Sequence, residues 1–336
     1  MHAGRRLLGI VGALAIVVMI TGCTVPRPDG PGTLRYRDAV FTDVTKTADL
    51  QYGSAPDAQG NPVALKLDLY QPAGDTQTQR PALVWVHGGS FCCGDKTGIV
   101  PVDVANTFAR QGYVVVSINY RLLGTGCVAN PSACTSAALE AKRDAQAAVR
   151  WLRANAATYR IDPTRIGIGG ESAGGITATL VGLFSEDLGN SGNPGYDSTV
   201  RGFASISGGV PDGLFASAGD APGVLFHGTA DGTVSSKWSD ATAGKMLAAG
   251  VPAFLQHQEG AGHVPWAQYR SLYLEQTDYF LYWALDLAHA AGQPTAAARA
   301  ASRQLERLGA SPRLQRALKQ HPKLRRVEKR GRQLTR

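Results

Sequence analysis

A single serine, Ser172, stands between Gly170 and Gly174 in the run Arg165-Ile-Gly-Ile-Gly-Gly-Glu-Ser-Ala-Gly-Gly175. Apolar residues precede the glycines, and a helix-compatible stretch over 176–184 follows. The spacing predicts a strand that turns sharply into a helix with Ser172 at the apex, because neighbours without Cβ atoms let the two elements approach. Such a turn lifts a hydroxyl out of the fold as a nucleophile. A glycine- and serine-rich turn without chemistry would share these letters, so the partners of the serine decide between the two.

A serine hydroxyl needs a base, and the base needs an orienting acid. Asp231 follows Ser172 by 59 residues, in Gly223-Val-Leu-Phe-His-Gly-Thr-Ala-Asp231, and His263 follows Asp231 by 32, in Glu259-Gly-Ala-Gly-His263. Each sits just past a short apolar run. Their rivals are placed less well: His257 lies inside an apolar run, His227 at the end of one, Asp240 within a helical pattern and Asp220 ahead of a strand. Developing negative charge also needs donors. The backbone amide of Ala173 is one. The stretch His87-Gly88-Gly89-Ser90-Phe91 offers the other from Gly89 or Ser90, with Gly88 supporting the turn and His87 a scaffold hydrogen-bonder.

These residues need a frame that gathers loops. Residues 41–52 and 63–70 alternate apolar and polar side chains, as half-buried antiparallel strands do. Continuous apolar runs at 81–86, 113–118 and 165–168 read as strands buried on both faces, and further strands are expected at 200–207, 223–227 and 253–258. Helical patterns fall at 101–110, 137–157, 176–184, 236–249 and 267–287. The alternation predicts an α/β fold with a mostly parallel eight-stranded sheet, helices on both faces and a minimal cap. Sites in such sheets form at the carboxyl ends of the strands.

The chain has 336 residues, is 44% hydrophobic and carries a formal charge of +8. That charge is local: residues 294–336 hold thirteen Lys and Arg against two Asp and Glu. The excess therefore describes a tail and not the ligand of the main domain. The tail, 293–336, could meet anionic lipid or cell-wall polymer. No aromatic residues interleave its cations, which disfavours nucleic acid. No spacing of His, Cys, Asp or Glu suggests a metal, and the chemistry outlined needs no cofactor.

At the other end, Arg5 and Arg6 precede an apolar stretch over 7–20 that is short for a membrane span. The following Ile20-Thr-Gly-Cys23 resembles the lipobox of bacterial lipoproteins. That resemblance implies removal of residues 1–22, lipidation of Cys23 and an exported protein anchored to the outer face of a cell membrane, with plain secretion as the alternative. Residues 23–35 then read as a flexible tether and 36–292 as the catalytic domain. In an exported chain Cys92, Cys93, Cys127 and Cys134 are expected to be bridged, either as Cys127 with Cys134 or across the two pairs.

His87-Gly-Gly, Asn119-Tyr-Arg-Leu122, Asp144 ahead of Ala147-Ala-Val-Arg-Trp151, Asp162-Pro-Thr-Arg165, GESAGG and HGTADGTV together resemble serine carboxylesterases of the α/β-hydrolase superfamily. The likeness covers roughly 65–285 and points to the hormone-sensitive-lipase-like and feruloyl-esterase-like groups. It implies an ester hydrolase with a Ser172–His263–Asp231 triad acting on small-molecule or surface-displayed esters. HGGS departs from the three-glycine form usual in the lipase-like group, and HGTADGTV is closer to the feruloyl-esterase pattern. Short-chain, acetyl or aryl esters fit a minimal cap. A prolyl-oligopeptidase-like peptidase and an inactive, membrane-tethered binding protein are the alternatives.

Overall fold

Hydrophobic alternation along the chain resolves, in the computed structural model, into eight strands and the helices that cover them. The structure describes residues 24–30, 32–57, 59–122, 124, 127, 131–210 and 216–290. Cys23, the segment before it and the basic tail lie outside the described residues. The strands are β1 (Val44–Pro56), β2 (Pro62–Pro72), β3 (Arg80–Val86), β4 (Val114–Ile118), β5 (Ile161–Glu171), β6 (Phe203–Ile206), β7 (Gly223–Gly228) and β8 (Ala253–Gln258). The helices are α1 (Ile99–Gln111), α2 (Pro131–Ala154), α3 (Ala173–Leu183), α4 (Ser236–Ala248), α5 (Trp266–Ala284) and the short α6 (Leu287–Ala290).

The strands form one sheet in the order β1-β2-β4-β3-β5-β6-β7-β8. β2 pairs antiparallel with both β1 and β4, and every later pairing is parallel. The mostly parallel sheet expected from the sequence is therefore the one observed. Period-two alternation divides β3 between the two faces. Ala82, Val84 and Val86 join a core with Ala145, Ala148 and Leu152 of α2, Leu180 of α3 and Met246 of α4. Leu83 and Trp85 join a second core with Phe108 of α1 and with Tyr273 and Phe280 of α5.

Order along the sheet matters for function. The chain leaves β3 toward β4 on one side, then returns to place β5 on the other. Loops after β3 and β5 thus start from neighbouring strands, at the switch point where α/β sheets form sites. β7 and β8 deliver two further loops to the same edge.

Two expectations differ in detail. α2 begins at Pro131, six residues ahead of the 137 expected; proline is tolerated in a first helical turn, where its missing N–H costs nothing. The stretch expected as a flexible tether is fastened to the domain instead through its described residues, 24–30 and 32–35. Val25 and Leu34 are buried, as is Tyr36 just beyond, and the Val25 amide donates to Gln276 Oε1 of α5 at 2.7 Å. The Arg37 guanidinium donates to the Pro28 and Gly32 carbonyls, which fastens the proline- and glycine-rich stretch further. No helix among the described residues is long and apolar enough to cross a membrane.

Candidate active site

Ser172 sits between β5 and α3 with φ 54° and ψ −121°. An L-residue adopts that conformation only where its surroundings impose it. Here the Ser172 amide donates to Ile206 O of β6 at 2.8 Å, and its carbonyl accepts the first α3 hydrogen bond, from Ile176. A Cβ on Gly174 would lie 1.9 Å from Val86 O, and one on Gly170 would lie 2.5 Å from both Gly174 and Val86 O. Only hydrogen fits at either place. The glycines that flank the serine let α3 start directly on the end of β3.

His263 bridges the other two groups. Its Nε2 is 2.8 Å from Ser172 Oγ, and its Nδ1 is 2.7 Å from Asp231 Oδ2. The three sequence-designated residues are therefore brought together in the order nucleophile, base, acid. The remaining Asp231 oxygen accepts from the Thr233 and Val234 amides at 2.8 and 2.9 Å. Burial pushes the Asp231 carboxyl up, but the hydrogen bonds from His263 and these amides outweigh it and hold the group below its ordinary value. The acid stays ionised, so it accepts from Nδ1–H and leaves Nε2 free to take the serine proton.

The rival histidines and acids fall elsewhere. His227 is fully buried behind the triad, its Nε2–H directed at the Val234 carbonyl and Asp231 Oδ2, with Ser239 Oγ 2.6 Å from Nδ1. Burial pushes its pKa down, which suits a neutral strut. His257 pairs with Asp240 at 2.9 Å, each the other's partner and neither a partner of Ser172. Asp220 accepts from the Ser217 amide.

The loop after β3 abuts the serine. A Cβ on Gly88 would approach Ser172 Cβ to 3.1 Å. Gly89, Ser90 and Phe91 all have positive φ, at 117°, 51° and 58°. The Gly88 N–H is spent on Glu171 Oε1 at 3.0 Å, so Gly88 acts as a support for the loop and does not donate to an oxyanion. Candidate donors are then the amides of Gly89, Ser90 and Ala173. His87 stacks on Tyr120, ring centroids 4.5 Å apart, and the Tyr120 hydroxyl donates to His87 O. That is the scaffold role expected of it.

Glu171 is the residue that motif reading passed over. It is buried beside the nucleophile, with Trp85 Nε1–H donating to Oε2 at 2.7 Å and the Gly88 amide to Oε1. Trp85 reaches it because Gly169 leaves room: a Cβ there would lie 2.5 Å from the indole. Burial pushes the Glu171 carboxyl up to about 8, against the two hydrogen bonds. An acidic residue closing the uncharged run 166–170 at the end of β5 was the available signal. A second buried contact fixes the loop after β4. Arg121 donates to both oxygens of Asp144, which also accepts from Ser191 Oγ, and these are the arginine and aspartate of the motif set.

Of the pairings open to the cysteines, Cys127 is bonded to Cys134, which excludes a bridge from either to Cys92 or Cys93. Cys92 and Cys93 are unbridged, midway along the loop between β3 and α1. Among the described residues no cluster of three or more His, Cys, Asp or Glu is placed to hold a metal ion.

Residues 67–205 match the BD-FAE family model. Mouse carboxylesterase 1C is 36% identical over 125 residues, 35% of this chain and 21% of that protein. Phenmedipham hydrolase of Pseudarthrobacter oxydans is 38% identical over 114 residues, 33% of this chain and 21% of that protein. The chain thus spans about a fifth of the length of the curated relatives it matches. Among solved structures, the butyrate-bound thermophilic esterase Est2 of Thermogutta terrifontis is 27% identical with a TM-score of 0.56, covering 65% of this chain and 89% of that one. The same esterase phosphorylated by paraoxon matches at 26% identity and TM-score 0.58, over 70% and 93%. A carbohydrate esterase from gut microbiota shares the fold at 20% identity and TM-score 0.58, over 74% and 98%. Sheet order and these similarities agree on the α/β-hydrolase fold, and the proteins that this chain resembles within it are esterases.

Proposed function

We propose that the protein is a serine carboxylesterase that cleaves short-chain, acetyl or aryl esters through an acyl-enzyme. The observation that carries this reading is the single imidazole of His263 within hydrogen-bonding reach of both Ser172 and Asp231. Ser172 Oγ attacks the ester carbonyl as His263 Nε2 takes its proton. The tetrahedral oxyanion is met by the Ala173 amide and by Gly89 or Ser90. His263 then gives its proton to the departing alcohol, and water, deprotonated by the same imidazole, releases the acid. Asp231 keeps the imidazole in the productive tautomer throughout. The butyrate-bound relative supports a small acyl group.

The test is turnover of a p-nitrophenyl ester series. Ser172→Ala is expected to lose about 10⁵–10⁶ in kcat while remaining folded by circular dichroism. Retained turnover in that variant would remove the assignment, and rates climbing steadily toward long acyl chains would remove the short-chain preference. The lipobox-like run ending at Cys23 supports, within the same proposal, an exported enzyme held at a membrane face. Loss of membrane association in Cys23→Ser is the corresponding measurement.

A further inference from the structure

The loop after β3 carries two adjacent cysteines whose arrangement the triad chemistry does not use. Cys92 Sγ and Cys93 Sγ are 2.6 Å apart. Two heavy atoms that are not bonded rest at about 3.5–4.0 Å, whereas a disulfide spans about 2.05 Å. The pair is thus held nearer to bonding distance than to contact distance. The backbone creates this closeness. The amides of Cys92 and Cys93 both donate to the Gly89 carbonyl, each at 3.0 Å, which curls residues 89–93 into one tight turn and sets the two side chains side by side. Cys93 is exposed and Cys92 half-buried, so an external reagent reaches Cys93 first. The neighbouring Cys127, whose amide donates to Ser90 O, is already oxidised in its bond to Cys134.

We propose that Cys92 and Cys93 close a vicinal disulfide that acts as a redox lock on the loop beside Ser172; the lock's effect on turnover rests on the esterase reading, whereas the bridge does not. The oxidant is a disulfide of a small thiol or of a dithiol oxidoreductase. The Cys93 thiolate attacks one sulfur of that disulfide and expels a thiolate, forming a mixed disulfide. The Cys92 thiolate then attacks Cys93 Sγ and expels the second thiolate. One S–S bond is broken in the reagent and one is made in the protein. Two electrons pass to the reagent, and the two cysteine protons leave on its thiols.

The connection to catalysis runs through one peptide plane. The Gly89 carbonyl and the Ser90 N–H belong to the same planar trans amide and point in opposite directions. Whatever fixes the carbonyl toward the cysteine amides therefore also fixes the Ser90 donor. Bridging the side chains removes the freedom of residues 92 and 93 to swing away from Gly89 O. Reduction restores that freedom and loosens an oxyanion donor whose value depends on preorganisation.

The experiment uses the full chain equilibrated with oxidised glutathione, then alkylated with iodoacetamide before any reduction. Peptide mass mapping is expected to find the peptide carrying Cys92 and Cys93 unalkylated and lighter by two hydrogens. After dithiothreitol it should take two alkyl groups. Alkylation of both cysteines without reduction, or a cross-link from either to Cys127 or Cys134, overturns the bridge. The lock is read from p-nitrophenyl butyrate hydrolysis in reduced and oxidised buffers. Wild type is expected to lose up to about tenfold in kcat on reduction with little change in KM. Cys93→Ser retains Cys127 and Cys134 and isolates their share, so its response should be much smaller. Equal responses in the two proteins overturn the lock. A chain that hydrolyses no ester fails the esterase reading while mass mapping still decides the bridge.

Discussion

The Glu171 carboxylate accepts the Gly88 amide, so the residue before the nucleophile holds the loop that faces it. β5 and the loop after β3 are thereby one unit. Burial pushes this carboxyl up to about 8. A folded-state value above the unfolded one means that the native protein binds the extra proton, so its contribution is fully present below about 4.5 and is lost as pH rises toward 8. Glu171→Gln removes the ionisation. Its stability relative to wild type should therefore rise with pH between about 5 and 8, by roughly 1.4 kcal/mol per pH unit at most. A difference independent of pH over that window, by calorimetry, would count against the ionisation.

Asp231 titrates in the opposite sense. Its carboxyl lies below the ordinary value, so the stability it supplies is present above about 3.8 and disappears as pH falls through the folded-state pKa. Asp231→Asn keeps the shape but presents an amide to His263 Nδ1. The expected loss is about 10⁴ in kcat, with acid unfolding shifted toward that of a chain lacking this carboxylate. Single-turnover kinetics and pH-jump fluorescence read the two effects separately.

The buried Arg121–Asp144 pair is expected to matter for folding and not for the chemical step. Removing one partner leaves a charge without its counter-ion in a closed site, at about 3–5 kcal/mol. Asp144→Ala should lower the urea midpoint accordingly, and a double variant with Arg121→Met should recover part of the loss. Additive losses in that cycle would refute the coupling.

Gly174→Ala probes the elbow itself. Its Cβ would sit 1.9 Å from the backbone oxygen of Val86, where no flexible side chain can yield. Overpacking of about 1–3 kcal/mol or more is expected, with displacement of α3 from β3. Turnover should drop more than stability alone explains, because Ala173 opens the same helix. Thermal melts alongside kcat separate the two losses.

The mostly parallel sheet and the positions of Ser172, Asp231 and His263 at strand ends were legible in the sequence because both depend on local signals repeated at the right interval. The runs ending at Val86, Glu171, Gly228 and Gln258 are apolar where the strands are buried, and each is followed by a glycine-bearing loop. Asp231 and His263 stood out by position in that series. Glu171 did not, because its role depends on what lies across the sheet: the indole of Trp85 and the amide of Gly88, distant by 86 and 83 residues. The cysteine pairing stayed open for the same reason, since spacing permits several bridges and geometry selects Cys127 with Cys134. The stretch 23–35 reads as a linker from composition, which does not show that the buried Val25 and Leu34 and the bonds with Gln276 and Arg37 fasten its described part.

That seated segment ties the start of the described chain to the middle of the last long helix. The Val25 amide meets Gln276 in α5, and α5 ends at Ala284, about 12 Å further along its axis. A strand-end site that draws nothing from this contact leaves the segment free to act as a clasp on α5. Tension applied to residues preceding Val25 would thus be borne first by α5, on the opposite side of the sheet from α3 and remote in the chain from the strand-end loops.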